Sequence, residues 1–203
     1  DAAGGVGLQL HAGQADVPAM GWRRLGLTLD GNLQRDDRLR WVFDGDVRLA
    51  GAPGGALGDA HVNILLSESA NTLLVDILQG KAHVSTALPL DQPTHAQIRL
   101  DNLPAGWLQG LLGTVWSGRP TSGRLDAELA LDLRDPGIQS SGRFTLNGVG
   151  FDTPTGTLAG QGLNGTGRFS LDTTDGPARM DLDAALRGGE LLLGPLYAKL
   201  PDH

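Results

Sequence analysis

Between Leu125 and Leu133 apolar residues take every second position, at Leu125, Ala127, Leu129, Leu131 and Leu133, with Asp126, Glu128, Ala130 and Asp132 between them. A repeat of two residues is the repeat of an extended strand, so this stretch has one apolar side and one mostly polar side. The rhythm returns at Met180, Leu182, Ala184 and Leu186 against Arg179, Asp181 and Asp183, and at Ala82, Val84, Thr86 and Leu88 against His83 and Ser85. Such a chain reads as a succession of sheet strands that share a greasy face.

The same reading gives candidate strands at 6–10, 25–29, 39–43, 47–50, 60–66, 72–78, 81–88, 96–100, 124–133, 142–146, 157–163, 168–171, 179–186 and 190–193. Between them lie candidate turns at Asp30-Gly31-Asn32, Asp44-Gly45-Asp46, Gln79-Gly80, Asp135-Pro136-Gly137, Asn147-Gly148 and Asp175-Gly176-Pro177. Asn-Gly and Asp-Gly readily take the positive φ of tight hairpins, and short connections imply antiparallel neighbours. One segment departs from the pattern. Over 103–112, Leu108, Leu111 and Leu112 share a helical face behind Asp101 or Asn102 and Pro104, which predicts a short amphipathic helix weakened by Gly106 and Gly110. It would plug an open end of a sheet or act as a hinge. The expected fold is therefore all-β, an antiparallel meander of about 12–16 strands forming a curved groove, an open barrel or a sandwich. It reads as one domain over 1–203, a fragment of a longer chain, divisible into 1–101 and 114–203 around the helix.

Composition narrows the function. The chain has 31 glycines and 11 prolines in 203 residues, yet regular Leu, Val and Ala spacing runs between them, so glycine reads as punctuation of strands. Net charge is −7 and aromatic residues are 4%, which excludes the basic stripe and stacking platform that nucleic acid needs. There are no cysteines, hence no disulfides, thiolate metal ligands or Cys nucleophile. No apolar run approaches the ~20 residues of a membrane helix, so a membrane anchor is expected outside this chain.

No catalytic motif emerges. Gly160-Gln161-Gly162-Leu163-Asn164-Gly165 has dinucleotide-fingerprint spacing, but Thr166 to Leu171 after it reads as strand, where that motif needs a helix N-terminus. His61, His83 and His95 fall on different strands without paired ligand spacing, and Asp44-Gly45-Asp46 lacks the rest of a calcium loop. Asn164-Gly165-Thr166 fits a glycosylation triplet that is common by chance. Trp22, Trp41, Trp107 and Trp116 read as core mass or as interfacial, lipid-contacting groups. Neither an enzyme, a metal nor a cofactor is expected.

In the second half, Ser122-Gly123-Arg124-Leu125, Ser141-Gly142-Arg143-Phe144 and Thr166-Gly167-Arg168-Phe169 form a loose repeat that would open successive strands. Ser122 to Leu129, Gly142 to Phe151 and Met180 to Gly189 carry a texture, mainly over residues 80–203, that resembles the AsmA-like superfamily of bacterial envelope proteins. Gly113-Thr114-Val115-Trp116-Ser117-Gly118 is similar to the type II secretion system protein N. The resemblance implies a U-shaped sheet in the periplasm of a Gram-negative bacterium, its concave apolar face cradling phospholipid acyl chains for transport between the membranes or for outer-membrane assembly. Other envelope proteins would be partners. Leu125, Leu129, Leu131, Leu133, Met180, Leu182 and Leu186 are the candidate lipid-facing residues. The rival reading is a closed β-sandwich that serves as a scaffold or interaction module of a secretion system.

Overall fold

The computed structural model describes residues 5–17, 22–109, 117–175 and 177–202. Among them the chain forms one antiparallel sheet of thirteen strands: β1 (Val6–Val17), β2 (Trp22–Arg35), β3 (Trp41–Ala50), β4 (Ala60–Ser67), β5 (Thr72–Gln79), β6 (Ala82–Pro89), β7 (His95–Pro104), β8 (Arg119–Leu133), β9 (Ile138–Asp152), β10 (Leu158–Asp172), β11 (Arg179–Arg187), β12 (Glu190–Leu193) and β13 (Leu196–Lys199). Strands β1 to β10 lie side by side in chain order. β10 then pairs with β11 along its C-terminal half and with β12 along its N-terminal half. The sheet does not close: among the described residues β1, β11 and β13 have one neighbour each. It also runs unbroken from β7 to β8, so the strands on either side of the 3-10 turn Ala105–Trp107 belong to one sheet.

Three expected turns are strand interiors instead. Asp30-Gly31-Asn32 lies inside β2, Asp44-Gly45-Asp46 inside β3, and Asn147-Gly148 inside β9. Gly31 and Gly45 are direct cross-strand partners, and the Phe43 ring lies over both. A Cβ on Gly45 would stand 2.8 Å from that ring and 2.7 Å from Gly31 Cα, so glycine here makes room for an aromatic ring laid flat on the sheet. Phe144 covers Gly167 and Phe151 covers Gly160 in the same way. Gly80 and Gly137, by contrast, do sit in turns, with φ of +60° and +101°. Gly176 lies outside the described residues.

The Ser/Thr-Gly-Arg repeats also fall inside strands rather than opening them. Gly123 belongs to a line of left-handed residues that crosses neighbouring strands: Asn102 on β7 (φ +56°), Gly123 on β8 (+93°), Gly148 on β9 (+61°) and Gly162 on β10 (+66°). At each the register shifts by one residue, the signature of a bulge that bends and twists the sheet. Side chains fasten this crease. Asp126 accepts from the Asn102 backbone N–H at 2.7 Å and from Asn147 Nδ2 at 2.9 Å. Asn164 Oδ1 accepts from the Gly148 N–H at 2.9 Å, so the glycosylation triplet has a structural use.

Beyond the crease the apolar face is covered. Leu25, Leu103 and Leu163 are each 1% exposed, and Leu25 and Leu103 share a core with Ala56, Ala82, Leu100, Trp107, Leu125 and Ala127. The cover comes from the β3–β4 connection, whose 3-10 turn Pro53–Gly55 packs its Gly54 backbone on the Gly106 carbonyl. Gly106 belongs to a second 3-10 turn, Ala105–Trp107, and helical residues follow at 108 and 109, so the described part of the helix expected at 103–112 starts after β7 ends at Pro104. Leu103 and Pro104 still extend β7, with Pro104 at φ −57° and ψ 129°. One turn leads to a helical Leu108, and 110–112 lie outside the described residues.

Single-layer construction leaves a measurable trace. The chain exposes 12311 Å². A compact chain of 21.2 kDa exposes about 9100 Å² by the usual scaling of area with mass. Stability therefore rests on few deeply buried groups, Phe43 among them at 6% exposed. Phe43→Ala should lower unfolding free energy by about 3 kcal/mol in urea titration, as for other buried Phe truncations. Gly45→Ala should also destabilise, by forcing the ring off its seat. Wild-type urea midpoints for both would refute the ring-on-glycine account.

Candidate functional site: an uncovered apolar face

Because every strand alternates and every neighbour is antiparallel, residues of one parity line up across the sheet as ladders. One apolar ladder runs from β1 to β11 through Val6, Leu33, Phe43, Ile64, Val75, Thr86, Ile98, Leu129, Gly142, Phe169 and Leu182. Ten strand spacings make it about 48 Å long. The seven expected lipid-facing residues all belong to this face. Leu125 is 5% exposed under the plug, Leu129, Leu131, Met180 and Leu186 are half-buried, and Leu133 and Leu182 are 49% and 60% exposed. The face thus grades along β8 from closed at Leu125 to open at Leu133. Among the tryptophans, Trp107 is plug core, while Trp41 stays partly exposed on this face with the Arg35 guanidinium 5.6 Å from its ring centroid. Trp116 lies outside the described residues.

The opposite parity makes an equally continuous polar ladder: Asn32, Asp44, Asn63, Asp76, Ser85, Arg99, Glu128, Arg143, Arg168 and Asp183. Sequence reasoning found the alternation but not this row, because cross-strand register is invisible without pairing. Its charges compensate one another sideways. Glu128 accepts from Arg143 Nε at 2.9 Å and from Arg99 Nη1 at 3.4 Å, and Arg99 Nε reaches Asp101 at 3.0 Å, which holds the Arg99 guanidinium above its usual pKa. Two open hollows of about 640 and 610 Å³ lie on this face over β5–β11, both lined by Arg99, Glu128, Arg143 and Arg168. The polar face is therefore itself hollowed, where a simple U would make it convex. A twisted sheet is saddle-shaped and can be concave on both sides along opposite diagonals.

The histidines of this face pair with carboxylates and not with each other. His61 has Nδ1 3.2 Å from Asp46 and Nε2 3.2 Å from Asp44, His83 Nε2 is 2.9 Å from Asp76, and His95 Nδ1 meets Asp132. No three His, Asp or Glu side chains among the described residues are arranged to hold a metal ion. Gly160 to Gly165 lies wholly within β10, with strand on both sides and no helix to receive a pyrophosphate. No helix of the described residues is long and apolar enough to cross a membrane. No family model, curated protein or solved structure matches the chain.

One titration follows from this geometry. Donation of a hydrogen bond to Asp46, with Asp44 on the other ring nitrogen, raises the His61 pKa above 6.5. Protonation is favoured in the folded state, so this stabilisation is complete below the unfolded pKa and disappears as pH rises through the folded one. Wild type should melt above His61→Gln at pH 5.5, and the gap should narrow steadily towards pH 8.5. A gap that widens with pH would reverse the assignment.

Proposed function

We propose that the protein is a non-enzymatic lipid-binding segment of the bacterial envelope that holds acyl chains on the apolar face of its sheet. The observation that carries this reading is the apolar ladder, over which the described residues place no second layer. Domains ordinarily bury such a face against another layer, and among the described residues only the plugged end has one. A closed sandwich would supply the missing layer as a second sheet, and the described residues form a single sheet. Half-buried Leu, Ile and Val offer dispersion and exclusion of water without polar groups that would select a head group. Burying each methylene is worth about 0.8 kcal/mol, so ten of them offer about 8 kcal/mol before the entropy of ordering the chain is subtracted.

On this reading the acyl chain would enter past the exposed Leu133 and stop at Leu125, Leu103 and Trp107. A face about 48 Å long is several times wider than one chain, which suits several chains side by side or passage along the ladder. The texture shared with AsmA-like proteins fits this use, and with it a periplasmic setting, attachment to a membrane through other parts, and a role in phospholipid transport or outer-membrane assembly.

Organic extraction of purified protein followed by mass spectrometry should release phospholipid, and delipidated protein should take up a fluorescent phospholipid. Leu133→Asp and Leu182→Asp, at exposed positions of the apolar face, should cut uptake several-fold while leaving circular dichroism unchanged. Arg143→Gln on the polar face should not. Absence of both extractable lipid and uptake would sink the reading.

A further inference from the structure

Two of the Ser/Thr-Gly-Arg repeats meet across the sheet. Ser141-Gly142-Arg143-Phe144-Thr145 on β9 and Thr166-Gly167-Arg168-Phe169-Ser170 on β10 are antiparallel neighbours, in a register that sets Ser141 opposite Ser170, Arg143 opposite Arg168 and Thr145 opposite Thr166. On the apolar side Gly142 meets Phe169 and Phe144 meets Gly167. Two copies of one pattern therefore sit back to back about a local two-fold axis between the arginines. On the polar face they make a block about 13 Å long along the strands, two guanidinium groups flanked by four hydroxyls, with no carboxylate inside it.

Like charges directly opposite each other are destabilising, and here the repulsion is relieved on one side only. Glu128 accepts from Arg143 Nε at 2.9 Å. The Arg168 guanidinium has no ion pair or hydrogen bond among the described residues, although Asp183 stands opposite it on β11. The hydroxyls of Ser141, Thr145 and Thr166 are likewise without a partner among the described residues. Arg143 and Arg168 line both hollows of the polar face, and Thr145 and Thr166 line one of them. Other carboxylates around these hollows already have donors: Asp76 has His83 at 2.9 Å, Asp101 has Arg99 at 3.0 Å and Asp126 has Asn147 at 2.9 Å. The donors of the block are left to face the hollow.

We propose that this block binds a phosphate monoester, seated between Arg143 and Arg168. Such a group carries three strong acceptor oxygens and a charge of about −1.5 to −2 at pH 7. That matches two donor-only guanidinium groups with hydroxyls on either side. A carboxylate has one charge and two oxygens, and would leave one arginine unmatched. The anion replaces the repulsion within the pair by two attractions. The site is on the face opposite the acyl ladder and does not depend on what that ladder holds.

Calorimetric titration at low salt with inorganic phosphate and with glycerol phosphate should show saturable binding at one site. Arg168→Gln should weaken both about tenfold or more, the usual cost of losing a hydrogen bond between charged groups. Thr166→Val, which keeps the shape and removes the hydroxyl, should weaken them less. Arg134→Gln makes the same charge change at an exposed turn position and should leave affinity unaltered. Without phosphate, Arg168→Gln should melt no lower than wild type, since it relieves the like-charge pair, and this separates a lost site from a lost fold. Vesicles containing phosphatidic acid that bind wild type better than Arg168→Gln would identify the ester as a lipid head group, and binding of the soluble anions alone would identify it as a free phosphate ester. No saturable binding of either soluble anion, an affinity unchanged by Arg168→Gln or lowered equally by Arg134→Gln, or acetate bound as tightly as phosphate would overturn the proposal.

Discussion

Strand register is the constraint on which the rest of this structure depends. With a side-chain period of two, a slip of one residue in any pairing would move that strand's apolar set to the polar face. Both ladders, apolar and polar, exist only because ten consecutive pairings keep the same parity. Where the strands bulge, the parity changes on purpose. On β7 the apolar side passes from Leu100 to Leu103 across Asn102, and on β9 from Leu146 to Val149 across Gly148, three residues apart instead of two. The crease is the line along which neighbouring strands make that change together, and it carries the apolar face into the plug.

The same feature explains what could be read from the chain beforehand. All-β class, antiparallel neighbours, the apolar residues of β8 and β11 and the position of the plug were legible because they follow from alternation and from one interruption of it. Strand lengths were not. A bulge and a turn look alike in sequence, as a glycine or asparagine where alternation fails, and only pairing distinguishes them. Gly148 carries a turn signal and lies in a bulge, while Gly31 and Gly45 carry the same signal and lie beneath a phenylalanine ring. The clue in hand was the aromatic count: Phe43, Phe144 and Phe151 each find a glycine on their own or an adjacent strand. A small residue that accepts a large one from its neighbour does the packing that a second layer would otherwise do.

That substitution bears on why an uncovered sheet holds together. Its apolar side is thickened locally by rings laid over glycines and capped at one end by Trp107 and Ala56. On the polar side, pairs such as Arg99–Glu128–Arg143 are exposed to water, which screens them, so their part is to fix register more than to add stability. Arg143 opposite Arg168 is the exception along that row: two cations in direct register, tolerated because Glu128 on the neighbouring strand holds one of them.

A single sheet with one greasy face has two exposures to resolve, its face and its edges, and the chain treats them separately. At the plugged end the face is covered by the chain itself, and towards Leu133 it is left bare. Among the described residues β11 carries Arg179, Asp181, Asp183 and Arg187, and β13 is four residues long. A strand added beside this sheet would not hide the apolar face but lengthen it, because it must present its own alternation to the same ladders.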